Sequence, residues 1–176
     1  MLVSVITLNY NTFKLTSDCI RSVIEFTKGT DFEIILVDNA STEKNAGDFL
    51  AGFPGIKLIK SPVNGGFAYG NNLGIEQASG EFILLLNSDT VLKEDSISKA
   101  IAFYQGQNNA GVVGCRMTYS NNKVQYSARR FRAIAPPMMP RPTIPILVAI
   151  PSSFGIRTRF EELCILQESR RGGCHA

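Results

Sequence analysis

Three polar clusters, each set directly behind a buried-type strand, constrain this chain more than any other feature. Asn9-Tyr10-Asn11 follows VSVIT (3–7), Asp38-Asn39-Ala40-Ser41 follows FEIILV (32–37), and Asn87-Ser88-Asp89-Thr90 follows EFILLL (81–86). In an open parallel α/β sheet the carboxyl ends of the strands share one edge, where ligands bind. Clusters in these positions are therefore expected to converge on a single crevice.

The rest of the first 117 residues supports such a sheet, because strand and helix patterns alternate along it. After the first strand, Leu15, Cys19, Ile20, Val23 and Ile24 recur at helical spacing, with Asn11 or Thr12 as the cap. A weak helix is expected at 43–52, ended by Gly52 and Pro54, and then a strand at 56–60. Asn64-Gly65-Gly66 opens a helix over 67–78 that carries Gly70 and Gly74. Each glycine costs a free helix roughly 1 kcal/mol, so close approach to a neighbouring strand or ligand is the expected reason for the pair. EFILLL lacks alternation and belongs in the middle of the sheet. A helix at 94–105 with Ile97, Ala100, Ile101 and Tyr104 on one stripe, a fifth strand at 111–117 and a hairpin partner in VQYS complete the series. The fold class is α/β, doubly wound, with helices on both faces of the sheet.

Beyond about residue 134 the chain changes character. Six of its eight prolines lie between Pro136 and Pro151, whereas every lysine, asparagine and aspartate lies at or before Lys123. Such a proline load argues against a central strand or helix. The expected division is a domain over 1–134 and a proline-rich, disordered or foreign tail over 135–176, with a lightly supported helix near 159–168.

Other bounds exclude function classes. At 176 residues, 44% apolar and 19% charged, the chain suits one soluble domain, and a net charge of +3 is too small to argue for nucleic acid. Arg129, Arg130 and Arg132 cluster without an aromatic ladder, which reads as a solvated face. Cys19, Cys115, Cys164 and Cys174 are widely spaced with no zinc pattern, so a reduced, cytoplasmic protein is expected. The apolar run at 144–150 is far short of the roughly 20 residues of a spanning helix, which leaves only a peripheral membrane association open. There is no G-x-G-x-x-G, no G-K-[ST] and no G-x-S-x-G, and the only histidine is penultimate. Dinucleotide oxidoreductase, P-loop and Ser-His-Asp chemistry are thereby disfavoured.

The clusters themselves suggest chemistry, each with a plainer alternative. Asn87-Ser88-Asp89 is a shortened Asp-x-Asp, an arrangement that holds Mg²⁺ or Mn²⁺ against a nucleotide diphosphate; otherwise Ser88 or Asp89 caps the next helix. Asp38 sits where a base or ribose would offer N–H or hydroxyl donors; otherwise it makes an Asx-turn. Asn64-Gly65-Gly66 presents backbone N–H groups to a phosphate, or is an ordinary turn.

Taken together, VSVITLNYN, IILVDNAST, SPVNGGFAYGNNLGI and GEFILLLNSDT resemble, in order and spacing, the family 2 inverting glycosyltransferases of the GT-A fold, and within them the rhamnosyltransferase-like bacterial branch. The resemblance covers residues 2 to about 132. It implies that Leu8, Asn9, Tyr10, Asn11 and Asp38 line a nucleoside pocket. It further implies that Asn64, Gly65, Gly66, Asn72 and Asn87 shape the donor site, and that Asp89 binds a divalent metal, Mg²⁺ or Mn²⁺. The implied donor is a UDP- or dTDP-linked sugar, with dTDP-rhamnose foremost, and the implied acceptor is a saccharide or lipid carrier at the inner face of the plasma membrane. Asn87 replaces the first aspartate of the usual motif. The family's general base is not recognised: Glu161-Glu162 lacks the Gly-Gly-Phe-Asp-Glu context, as a truncated or frameshifted frame would produce. Two other readings are a non-catalytic nucleotide-sugar-binding remnant and a sugar nucleotidyltransferase, the second lacking its Gly-rich, Arg-bearing loop here.

Overall fold

A computed structural model of the chain describes residues 1–106, 112–119, 123–125, 146–148 and 159–166. The elements are β1 (Leu2–Asn9), α1 (Phe13–Phe26), β2 (Asp31–Asp38), α2 (Asp48–Gly52), β3 (Lys57–Lys60), α3 (Gly66–Ile75), β4 (Phe82–Leu85) and α4 (Ser96–Gln105). They are followed by β5 (Val112–Thr118), β6 (Val124–Gln125), β7 (Ile146–Val148) and β8 (Arg159–Leu166). The sheet runs in the order β3-β2-β1-β4-β7-β5-β6, and β8 also pairs with β5. Neighbours from β3 to β5 are parallel, whereas β6 and β8 lie antiparallel to β5.

Strand alternation divides the core into two layers. Val3 and Val5, Ile34 and Leu36, and Phe82, Leu84 and Leu86 face one side, where Cys19, Ile20 and Val23 of α1, Phe49 of α2 and Ile97, Ala100 and Ile101 of α4 cover them. Ile6, Ile35, Val37 and Ile83 face the other side, against Leu73 and Ile75 of α3. Helices therefore cover both faces, as the continuous apolar strands require. The chain leaves β1 on one side for β2 and β3 and returns on the other side for β4. The sheet order thus reverses beside β1, the point at which open α/β sheets form ligand crevices.

Glycines 70 and 74 let α3 lie close on β1. A Cβ at 70 would stand 2.5 Å from Leu8 Cδ2, and one at 74 would stand 2.5 Å from Ile6 Cγ2. A strand is thus the reason for the pair.

Several details differ from the sequence reading. Leu15 and Ile24 are exposed, and the buried face of α1 is instead Thr16, Cys19, Ile20, Ser22 and Val23. Helix α2 begins only at Asp48, because the Asn45 carboxamide accepts from Gly47 N at 2.9 Å and holds the preceding residues in a turn. In the tail, Ile146–Val148 pairs between β4 and β5, and Arg159–Leu166 is a strand rather than a helix. The expectation that this region adds nothing to the sheet is corrected for these two segments. The central one fits because Pro145 and Pro151 flank the run without interrupting it. The remainder of 135–176 lies outside the described residues.

Candidate functional site

The site grows from the adjacent strand ends of β2, β1 and β4. Asn9 is buried, and its carboxamide is fully engaged: Nδ2 donates to Asp38 Oδ1 at 2.7 Å and to Ser41 Oγ at 2.9 Å. Its Oδ1 accepts from Thr12 N, Thr12 Oγ1 and Thr16 Oγ1 at 3.3, 3.2 and 3.0 Å. One side chain thereby fixes the start of α1 and the Asp38 carboxylate together. Thr12 in turn lies 3.5 Å from Ser88 Oγ, linking this loop to the turn after β4.

Asp38, only 6% exposed, also accepts from Ser41 N at 3.2 Å through Oδ2. The local turn of the plainer reading is therefore present, and so is a cross-strand partner in Asn9. Each carboxylate oxygen keeps acceptor capacity beyond one such bond. Asn11 and Ala40 follow in left-handed conformation, with φ of 52° and 61°. Asn11 Oδ1 accepts from Thr42 N at 2.8 Å and Glu43 N at 3.0 Å, so this side chain binds the β2–α2 loop. Leu8 supports the site from below by packing on the α3 side of the sheet. Tyr10 is 48% exposed at the rim.

The Asn64-Gly65-Gly66 turn is joined to this constellation by Asn39, which the sequence reading left without a role. Asn39 Nδ2 donates to Asn64 Oδ1 at 2.8 Å, and its Oδ1 accepts from Gly65 N at 3.3 Å. Gly66 N donates to Asn64 Oδ1 at 3.0 Å, and Gly66 itself requires φ of 80°. Both glycine N–H groups are thus engaged within the protein, as in the ordinary-turn alternative. Asn72 lies exposed on α3, whereas Asn71 is buried and donates to Phe67 O at 2.9 Å.

At the end of β4, Thr90 N donates to Asn87 O at 3.0 Å and closes a turn over Asn87-Ser88-Asp89. The helix that follows is capped by Asp95, whose Oδ1 accepts from Ser98 N at 3.2 Å, so neither Ser88 nor Asp89 serves as that cap. Asn87 Oδ1 is buried with no hydrogen-bond partner. An amide oxygen and a carboxylate two residues apart form an oxygen donor set that fits Mg²⁺ or Mn²⁺ completed by phosphate and water. No group of three His, Cys, Asp or Glu side chains able to hold a metal occurs among the described residues. Cys19 donates to Asn87 O at 3.5 Å beneath the turn. Burial pushes its thiol up to about 12, with the Asp89 charge adding to the rise against a hydrogen bond with Thr7, so no thiolate competes as a soft ligand. Cys19 and Cys115 are both free thiols. No helix among the described residues is long and apolar enough to cross a membrane.

Residues 4–164 match the profile of glycosyl transferase family 2, and the chain belongs to that family. It is 31% identical over 125 residues to the glycosyltransferase GlyG of Streptococcus pneumoniae, across 69% of this chain and 41% of GlyG. Staphylococcus aureus TarS 1–349, solved in complex with UDP-GlcNAc, superposes with a TM-score of 0.61 at 25% identity, over 72% of this chain and 38% of that one. The mannosyltransferase PcManGT of Pyrobaculum calidifontis, solved with GDP-Man and Mn²⁺, shares the fold, with a TM-score of 0.57 at 19% identity over 66% of this chain and 35% of that one. The chain thus spans about two fifths of the length of these relatives. Its sheet is the GT-A sheet of these glycosyltransferases.

Proposed function

We propose that the chain forms the donor-binding part of an inverting glycosyltransferase that takes a UDP- or dTDP-linked sugar and acts on a saccharide or lipid-linked acceptor. The observation that carries this reading is the hydrogen-bonded convergence of Asn9, Asp38, Asn39 and the Asn64–Gly66 turn beside the Asn87–Asp89 turn. Asp38 accepts donors from the base or ribose, while Asn9 and Ser41 hold its carboxylate in place. Asn72, exposed on α3, is assigned to the sugar-diphosphate side of the site by the family resemblance. Asp89 and Asn87 would hold a divalent metal, which when bound would neutralise charge on the departing nucleoside diphosphate. In the inverting reaction a base deprotonates the acceptor hydroxyl, which attacks the anomeric carbon opposite the diphosphate.

The named relatives favour particular substrates. TarS with UDP-GlcNAc supports a uridine donor, whereas the resemblance of GEFILLLNSDT to the rhamnosyltransferase-like branch favours dTDP-rhamnose. TarS is a poly(ribitol-phosphate) β-N-acetylglucosaminyltransferase, which supports a polymeric acceptor for this chain as well.

Calorimetric titration of UDP and dTDP, with and without Mn²⁺, tests the reading. Binding strengthened by metal in the parent and insensitive to metal in Asp89→Ala, with the circular dichroism spectrum unchanged, is the expected outcome. Metal dependence that survives in Asp89→Ala would remove Asp89 from the metal site.

A further inference from the structure

We propose that Asn39 is a positioning residue that fixes the Asn64–Gly66 turn against the nucleoside side of the crevice, so that recognition of the diphosphate depends on a side chain that does not touch the donor. The inference rests on the donor reading above and assigns one part of it.

Asn39 is 4% exposed and stands at the joint between two halves of the site. Its backbone N donates to Asn9 O at 2.8 Å, which ties it to the strand end that also holds Asp38. Its side chain reaches the other way. Nδ2 donates to Asn64 Oδ1 at 2.8 Å, with Gly66 O a further acceptor at 3.5 Å, and Oδ1 accepts from Gly65 N at 3.3 Å. The carboxamide thus uses donor and acceptor together on a single turn, 25 and 26 residues further along the chain. Aspartate lacks the donor, leucine lacks both groups, and glutamine is a methylene too long. Buried polar groups that lose a partner carry their full desolvation cost, so this bridge holds one geometry rather than several.

The neighbouring conformations are organised around the same joint. Ala40 adopts φ of 61°, a left-handed value costly for a residue with a Cβ, and it turns the chain sharply directly after Asn39. Gly66 adopts φ of 80° where the turn enters α3, with open space where a Cβ would be. With the Gly65 and Gly66 N–H groups held inward, the turn sets where the N–H groups opening α3 stand, and these have no intrahelical acceptor. Loss of Asn39 would let the turn drift while Asp38 stays in place, because Asn9 and Ser41 hold Asp38 independently.

The two halves of the donor can be probed separately with UDP and with uridine, each titrated by NMR in the presence of Mg²⁺. In Asn39→Ala, affinity for UDP should fall about tenfold, the equivalent of one buried hydrogen-bond system of about 1.4 kcal/mol. Affinity for uridine should stay within about twofold. Asn64 lies in an exposed turn, so Asn64→Ala should fold even if Asn39→Ala does not, and it should show the same selective loss. The pair combined should lose no more UDP affinity than either alone, since both remove one bridge. Equal loss of UDP and uridine in both single variants would mean a general structural role and overturn the proposal, as would UDP affinity equal to the parent's. A parent that binds neither UDP nor uridine would instead defeat the donor reading itself, and this inference with it.

Discussion

At the scale of single residues, the part of the candidate site at the ends of β1 and β2 is an assembly of amides around one carboxylate. Asn9, Asn11 and Asn39 turn their carboxamides onto other parts of the protein, while Asp38 sits among them with acceptor capacity remaining. If Asp38 receives hydrogen bonds from the base or ribose, Asp38→Asn should weaken binding by roughly 1.5–3 kcal/mol, the range for bonds to a charged group. The loss should be equal for UDP and a UDP-sugar, or for the dTDP pair, because the sugar is remote from the contact. Thermal unfolding of the same variant measures what the Asn9 and Ser41 bonds contribute to the fold alone. Unchanged nucleotide affinity would return Asp38 to the role of a turn residue. The positions of Asp38 and Asp89 at the carboxyl edge of the sheet were legible in the sequence because each follows a buried-type strand. The work of Asn39 and Asn11 was not legible, because an amide's partners are decided by which loops the fold brings alongside it. Asn39 bonds across 25 residues and Asn11 across 31, and no local pattern encodes either.

At the scale of elements, periodicity identified every strand and helix through β6, and errors arose where side chains compete with the backbone. Asn45 shortens α2, and Leu15 and Ile24 face water although their spacing suits a buried stripe. Strand β7 was missed because proline content was averaged over a segment whose apolar centre contains none. Helix α3 shows the opposite case, in which a poor helix former is demanded by packing. Replacing Gly74 with alanine gains up to roughly 1 kcal/mol of helix propensity, yet the new methyl would press on Ile6, which is fully buried. Overpacking of a closed core costs typically about 1–3 kcal/mol, so Gly74→Ala should be destabilising on balance in chemical denaturation. Combining it with Ile6→Ala should cost less than the two changes summed, since the second removes the clash. Additive costs would show that the helix moves away from β1 instead.

At the scale of the whole molecule, the two edges of the sheet divide the labour. The carboxyl edge carries the proposed donor site, and the amino edge is tied together by Glu33. Its Oε1 accepts from Ser4 Oγ at 2.6 Å, Ser79 N at 2.8 Å and Ser79 Oγ at 2.7 Å, and its Oε2 pairs with Lys57 Nζ at 2.6 Å. Ser4 Oγ in turn accepts from Gly80 N at 2.9 Å, so the α3–β4 connection is fastened to β1, β2 and β3 together. Burial raises the Glu33 carboxyl, but the bonds from Lys57, Ser4 and Ser79 outweigh it and hold the group at about 2, against an ordinary 4.5. A pKa depressed in the folded state contributes stability that is complete above the unfolded value and is lost as pH falls through the folded one. The window is therefore pH 4.5 down to about 2. Asp95 works in the same direction: burial raises it, and bonds from Lys28, Ser98 and Gly29 lower it further than burial lifts it. Glu33→Gln should destabilise the fold at pH 7 by roughly 1–2 kcal/mol once solvent screening is allowed for. The gap from the parent should close between pH 4.5 and 2, and UDP affinity at pH 7 should not change, because the substitution lies at the far edge from the site. Urea denaturation of both proteins across that range checks the first point and calorimetry the second. A gap that stays constant with pH would show that Glu33 acts through shape rather than charge, and a fall in UDP affinity would show that the two edges are coupled.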